Sequence, residues 1–336
     1  MKKLFIVFIL LLSATFAGCG NQNAQPSTAP KSTPQKVVVY MPSPAGLADK
    51  LAADFETKTG IKVEQFQGTT GEISARLETE QANPIADVVI LASWSDGLTM
   101  KKKGRVLAYT PQNSDKIIWK DQDNMLWSTS ASAVGVIYNT KIFPALSADW
   151  GDLSRPEYKN QLVIPDPEKS GACKDFLAGY INANGEDAGW QTLLALAQNG
   201  MTVPGANKAA LEAVTTGEKG ILVAGVDYNA YAAKAKGEPL DIYYPAGGTV
   251  VNPRPAMILK TSPNMANAKA FMDYLASPEA QKLVANAYLL PGRNDITTDK
   301  RTAITNISQL KYDWEWMMNH SAAIAAKLNK IAAKGR

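Results

Sequence analysis

Between Lys36 and Ala92 short apolar runs alternate with amphipathic stretches, and that order leaves few folds open. Val37-Val38-Val39-Tyr40 has the unbroken apolar character of a strand buried on both faces, and Pro42-Ser43-Pro44-Ala45-Gly46 reads as a loop. Leu47, Leu51 and Phe55 recur every four residues and predict a helix that stops near Gly60. Ile61 to Phe66 alternates as a strand. Gly68-Thr69-Thr70-Gly71 then turns into a second helix through Ile73, Leu77 and Glu80, and Asp87 to Ala92 is a third strand. Parallel strands need long crossovers, so a β-α-β-α-β order predicts an open parallel sheet with helices on both faces, the α/β class.

Further strands are expected over 133–138, 162–165, 221–225, 242–244 and 255–260. Helices are expected over 174–184, 186–198, 208–216, 227–236, 267–276, 278–287 and 312–331. These are more βα units than one compact sheet holds, which predicts two α/β lobes. The expected division is 36–130 with 254–300 for the first lobe and 131–253 with 301–336 for the second.

The first residues carry a different signal. Met1-Lys2-Lys3 is basic, Leu4 to Leu12 is apolar, and small residues lead to Ala17-Gly18-Cys19. That is signal-peptide architecture, too short for a stable membrane span. Phe16-Ala17-Gly18-Cys19 resembles a bacterial lipobox with Phe in place of the usual leucine. The resemblance implies removal of residues 1–18 and lipid attachment at Cys19. Residues 19–35 are rich in Asn, Gln, Ser, Thr and Pro and read as a flexible linker. Cys173 is then the other cysteine, expected as a small core residue.

Composition narrows the function. With 35 Lys and Arg against 31 Asp and Glu the formal charge is +4 and forms no broad basic stripe, so nucleic acid is not the expected partner. One histidine and two cysteines leave little room for zinc or a His-centred catalyst, and no cofactor, metal site or enzymatic activity is expected. No nucleophile-elbow motif stands out in favour of a surface hydrolase.

Three segments carry a family resemblance: Glu56-Thr57-Lys58-Thr59-Gly60-Ile61-Lys62-Val63, Pro84-Ile85-Ala86-Asp87-Val88-Val89, and Asn267 through Ser277-Pro278-Glu279-Ala280-Gln281. Over Lys36 to Ile296 the chain resembles the solute-binding components of ABC importers, in the ferric-ion-binding subgroup that includes phosphonate and sugar-phosphate binders. The resemblance implies a two-lobed periplasmic-binding-protein type II fold, a hinge, a ligand cleft between lobes, and an ABC permease as partner of a monomeric, membrane-anchored receptor.

Candidate ligand contacts follow. Ser43, Thr69-Thr70-Gly71 and Ser170-Gly171-Ala172 stand at expected loop-to-helix junctions, where free N–H groups and the helix dipole suit an anion. Each has a plain alternative as a helix cap. Ser93 and Trp94 follow the strand 87–92. Trp127 and Ser128-Thr129-Ser130 precede the strand expected at 133. Arg254, in Val251-Asn252-Pro253-Arg254-Pro255, suits a phosphate or carboxylate, or else lies on the surface of an extended hinge. In ferric-ion-binding relatives an adjacent tyrosine pair supplies phenolates at the place of Asp227-Tyr228, with a histidine and a carboxylate from N-terminal loops. Here one tyrosine is Asp227, the only histidine is His320, and Glu72 is the remaining carboxylate candidate. This set is incomplete for iron and favours an oxyanion-bearing organic solute, with Asp227 receiving an amine or hydroxyl and Tyr228 beside it. Asp227 as a helix cap is the alternative. Lys101-Lys102-Lys103 reads as a solvated helix end, and Tyr312 to Met318 as an aromatic face packed on a lobe.

The lipobox is directly testable. Cys19→Ser should move the protein out of the membrane fraction or block its maturation without altering solute affinity. A variant that still partitions with detergent-extracted lipid would contradict the anchor.

Overall fold

The alternation builds the first half of the molecule as expected. In the computed structural model, which describes residues 35–44 and 46–334, β1 (Lys36–Met41) leads through α1 (Leu47–Thr59) to β2 (Lys62–Gln67). Next come α2 (Thr70–Thr79), β3 (Val88–Ile90) and α3 (Trp94–Lys102). The expected signal segment, Cys19 and the linker up to residue 34 lie outside the described residues. β1 pairs in parallel with β2 from Lys36 opposite Lys62 to Met41 opposite Gln67, and with β3 on its other edge. Leu47, Leu51 and Phe55 bury the α1 face, and the Phe55 ring meets Phe271 edge-on at 5.0 Å.

Two long strands then run through the middle. β4 (Val106–Leu107) precedes β5 (Trp127–Asn139), and β9 (Val251–Leu259) lies antiparallel to β5. The second half consists of β6 (Leu162–Val163), α4 (Gly171–Asn184), α5 (Glu186–Gln198), α6 (Asn207–Thr215), β7 (Ile221–Val226), α7 (Asp227–Lys234) and β8 (Leu240–Tyr243). After β9 come α8 (Met265–Leu275), α9 (Pro278–Asn286), β10 (Leu290–Pro291) and α10 (Trp314–Lys334). The sheet order is β2-β1-β3-β9-β5-β7-β6. β5 pairs with β9 up to Ala133 and with β7 and β8 from Val134 onward, so it belongs to both halves. This is the expected α/β architecture of two lobes joined by crossing strands.

Both crossing strands begin earlier than the sequence suggests. Trp127 and Ser128–Ser130 lie inside β5 rather than before it, and Val251–Arg254 is strand rather than an extended hinge ahead of one. Two prolines argue against a central strand, yet their placement removes the objection. Leu91 N–H donates to the Pro255 carbonyl at 3.0 Å, so the odd residues of this stretch turn their backbone toward β3. β3 pairs with β9 from Ala256 onward, so Pro253 lies beyond that edge, while Pro255 opposite Leu91 accepts one bond and forgoes only the reciprocal donor. Ser43 also departs from expectation: α1 starts at Gly46 in the left-handed region, with no side-chain cap.

The Ser-Pro-Glu-Ala-Gln segment proves to be a structural joint. Ser277 caps α9 by accepting from Ala280 N–H at 3.3 Å, and Pro278 occupies its first turn, where a missing N–H costs nothing. Gln281 is buried and donates to the carbonyls of Thr129 and Leu275 at 2.8 and 2.9 Å while accepting from Gly292 N–H at 2.6 Å.

Asp87 stitches the first half together. Its buried carboxylate accepts from Val38 N–H at 2.7 Å, Ser262 Oγ at 2.6 Å, and Asn264 N–H and Nδ2 at 2.9 and 3.1 Å. Stranding buried donors costs roughly 1–3 kcal/mol each before relaxation. Asp87→Ala should therefore lower the unfolding free energy by about 3 kcal/mol or more in urea titrations. A loss below about 1 kcal/mol would show that the network carries little stability.

Candidate functional site

Three helix N-termini meet where the halves of the sheet join. Gly71 N–H at the start of α2 lies 3.4 Å from the Lys169 carbonyl, and a Cβ on Gly71 would run into the Glu168 carbonyl. A Cβ on Gly171, the first residue of α4, would sit 2.8 Å from Ser93 Cβ and 3.0 Å from Thr70 Oγ1. The starts of α2, α3 and α4 are thus in contact, and only glycine at 71 and 171 permits it. Thr70, Gly71, Ser93, Ser170, Gly171 and Ala172 fall together as the sequence suggested.

Their hydroxyls have assigned work. Thr69 caps α2 by accepting from Glu72 N–H at 3.2 Å, and the Glu72 carboxylate accepts from Thr69 N–H at 2.7 Å. Glu72 is therefore half of a capping box rather than a metal ligand. Thr70 Oγ1 accepts from Ala92 N–H at 3.1 Å. Ser170 caps α4 through Cys173 N–H at 3.2 Å and donates to Asn207 Oδ1 at 2.8 Å. Gly171 and Ala172 lead α4, ahead of its intrahelical ladder, so their N–H groups face outward from the helix end.

Below these termini lies a polar floor. Ser130, Ser132, Asn252 and Arg254 pair across β5 and β9 and share one face, while Ala131, Ala133 and Val251 on the other face pack against Leu290 and Ile307. Asn252 Nδ2 reaches the Ala172 carbonyl at 3.3 Å. The Arg254 guanidinium donates to the Pro42 carbonyl and lies 5.9 Å from the Tyr228 ring centre. Arg254 is only 2% exposed, which excludes the surface-hinge alternative. Burial pulls its guanidinium below the ordinary value, opposed by Tyr228 and Asp227. Arg293 and Arg301 are also buried, and each meets a carboxylate within 2.7 Å. Among the described residues no carboxylate forms an ion pair with Arg254. A cleft of about 770 Å³ opens between Pro44 and Leu47 on one side and Lys208 and Tyr228 on the other; of the residues around Arg254, Tyr228 lines it and the floor residues do not.

Asp227 does not face this floor as a free acceptor. Its fully buried carboxylate takes Arg301 Nη2, Tyr244 Oη at 3.0 Å, Ala133 N–H at 3.0 Å and Tyr228 N–H at 2.7 Å. The expected contact with a ligand amine is corrected: the carboxylate is consumed by an internal ion pair. Burial, then the Asp227 charge, raises the Tyr244 phenol far above its ordinary value. Arg301, 74 residues from Asp227 in a segment without motif, gave no signal in the sequence. His320 stacks on Trp316 at 4.1 Å on α10, and among the described residues no three His, Cys, Asp or Glu are grouped to hold a metal ion. Trp94 packs on Trp314 at 6.5 Å and Trp127 Nε1 donates to the Tyr109 carbonyl at 2.8 Å, so both are structural. Lys101 pairs with Asp121 at 2.7 Å and Asp123 at 2.5 Å. Ser43 is half-buried in the loop after β1, and the Ser130 carbonyl accepts from Ser128 Oγ.

A model for bacterial extracellular solute-binding proteins matches residues 83–319. The chain belongs to that family. This solute-binding protein is 25% identical to Iron uptake protein A1 of Synechocystis sp., over 88% of this chain and 86% of that one. It is 28% identical to the putative 2-aminoethylphosphonate-binding periplasmic protein of Salmonella typhimurium, over 82% and 85% of the two chains. Its fold matches the periplasmic binding protein AfuA of Actinobacillus pleuropneumoniae with fructose-6-phosphate bound. That match has a TM-score of 0.82 at 22% identity, covering 90% of this chain and 99% of the other.

One buried carboxylate links the halves of this solute-binding protein. Asp175 on α4 accepts from Ser93 Oγ at 3.0 Å, from Trp94 N–H at 2.9 Å and from Ser95 Oγ, all at the start of α3. Lys174 binds Asp96 at 2.5 Å alongside. Burial, joined by the Asp96 charge, pushes the Asp175 carboxyl up to about 7, against the pull of Ser95, Lys174 and Ser93. The unfolded chain returns it to the ordinary 3.8 and so loses its proton first as pH rises. The contribution is complete below that value and is lost as pH climbs toward 7. Asp175→Asn should flatten the fall in melting temperature between about pH 4 and 7. An unchanged slope would show that another group carries the dependence.

Proposed function

We propose that this protein captures a small organic solute through an oxyanion group and presents it to an ABC permease while tethered by lipid at Cys19. The observation that carries the ligand class is Arg254: a buried guanidinium without a carboxylate, on the floor beneath the α4 N-terminus. A buried charge is costly unless paired, and an anionic ligand supplies the pair. Gly171 and Ala172 N–H add donors of the same polarity, and the helix end adds its dipole. Phosphonates and sugar phosphates have this chemistry, which agrees with the names of the Salmonella and Actinobacillus proteins. Ferric ion fits less well, because Arg254 adds positive charge beside the Tyr228 phenol and Asp227 is committed to Arg301. Binding needs no covalent step: a solute held by both halves favours the arrangement in which they meet.

A thermal-shift screen with 2-aminoethylphosphonate, fructose-6-phosphate and ferric citrate tests this. A probe at 100 times its Kd adds about 2.7 kcal/mol of stability. Arg254→Met keeps much of the side-chain volume and should weaken phosphonate or phosphate binding by roughly tenfold to a hundredfold. A coloured ferric complex abolished by Tyr228→Phe and indifferent to Arg254→Met would overturn the proposal.

A further inference from the structure

The floor holds two polar atoms that the fold leaves without partners. Ser132 Oγ and Asn252 Oδ1 belong to fully buried residues and have no hydrogen-bond partner among the described residues. They stand directly opposite each other across β5 and β9. The Asn252 amide orientation is determined, because Nδ2 donates to the Ala172 carbonyl. Reversing the amide would set oxygen against oxygen, so Oδ1 is the unpaired end. An orphaned buried acceptor is costly, because it gives up hydration and gains no bond in return. An apolar pair would avoid that cost, as Ala131, Ala133 and Val251 do on the reverse face.

The chemistry of Asn252 Oδ1 differs from that of Arg254, two residues along the same face, and the Ser132 hydroxyl beside it can accept as well as donate. Arg254 and the α4 N-terminus donate. Asn252 Oδ1 only accepts, so it repels a bare phosphate oxygen and pairs with N–H or O–H. Asp227, the acidic residue that could have filled this role, is committed to Arg301.

We infer that Asn252 and Ser132 select a solute that carries a hydrogen-bond donor, an ammonium or a hydroxyl, close to its anionic group. This rests on the oxyanion reading of the same site. It divides oxyanions by structure: aminoalkylphosphonates and hydroxylated phosphate esters satisfy both sides of the floor, whereas simple alkyl phosphonates and alkyl phosphates leave Oδ1 unpaired. Sites that hydrogen-bond a substrate group reject analogues lacking it, because the site's own polar atoms are then stranded.

Isothermal titration of the purified protein with two matched pairs tests the inference and separates the donors. The pairs are 2-aminoethylphosphonate against ethylphosphonate, and glycerol 3-phosphate against propyl phosphate. In at least one pair the donor-bearing member should bind roughly tenfold tighter or better. Ser132→Ala and Asn252→Ala should shrink that ratio, while the affinity of the donor-free member moves little. Melting curves check that each variant folds, and the conservative Ser132→Ala decides the matter if Asn252→Ala does not. Equal affinity within both pairs, or a ratio unchanged in the folded variants, overturns the inference; binding that still depends on Arg254 then leaves the oxyanion reading in place. If none of the four probes binds, both readings fall.

Discussion

The pairing of β5 with β9 is the constraint on which the rest of the molecule hangs. Every residue of both strands is buried. β5 exchanges β9 for β7 and β8 part-way along, so one continuous backbone serves as an inner strand of both halves. Strand alternation then assigns the two faces opposite tasks. One is apolar and closes against the segment around Leu290 and Ile307; the other carries Ser130, Ser132, Asn252 and Arg254 toward the helix termini. A one-residue slip would exchange the faces and bury the arginine in the apolar packing, so the pairing register decides which residues share the polar face.

Electrostatics divides the site in a complementary way. Two buried arginines lie near the Asp227-Tyr228 step. Arg301 meets Asp227 in a fully buried pair that also holds Tyr244, anchoring the 301–302 segment to the start of α7. Arg254 meets a carbonyl and an aromatic face and, among the described residues, no carboxylate. The first is neutralised within the fold, and the second has no carboxylate partner among the described residues. The same contrast appears at the helix ends: the α3 N-terminus is answered internally by Asp175, whereas the start of α4 meets the floor through Asn252 Nδ2 at the Ala172 carbonyl.

Much of the scaffold was legible because it depends on local pattern. The four-residue period of Leu47, Leu51 and Phe55, the capping turn at Thr69, and the Ser277-Pro278 restart each act within one or two turns of chain. Glycines 71 and 171 were placed at junctions but not explained, since the need for them is a contact with carbonyls and side chains from distant elements. The start of β9 was missed for a related reason. Pro253 and Pro255 look disruptive until the neighbour on each edge is known: Pro253 lies past the end of β3, and Pro255 gives up a single donor at the last rung.

Alternation of apolar runs and helix punctuation thus suffice for the α/β class and for the positions of most helix starts. These are properties of neighbours along the chain. Which polar groups remain unspent is a different matter, because it depends on partners far apart in sequence. Asp227 looked available and Arg254 looked exposed; folding brought Arg301 to the first and buried the second without a counter-charge. No periodicity records such a pairing, since the free energy of a buried charge is decided by whatever the completed fold places within a few ångströms of it.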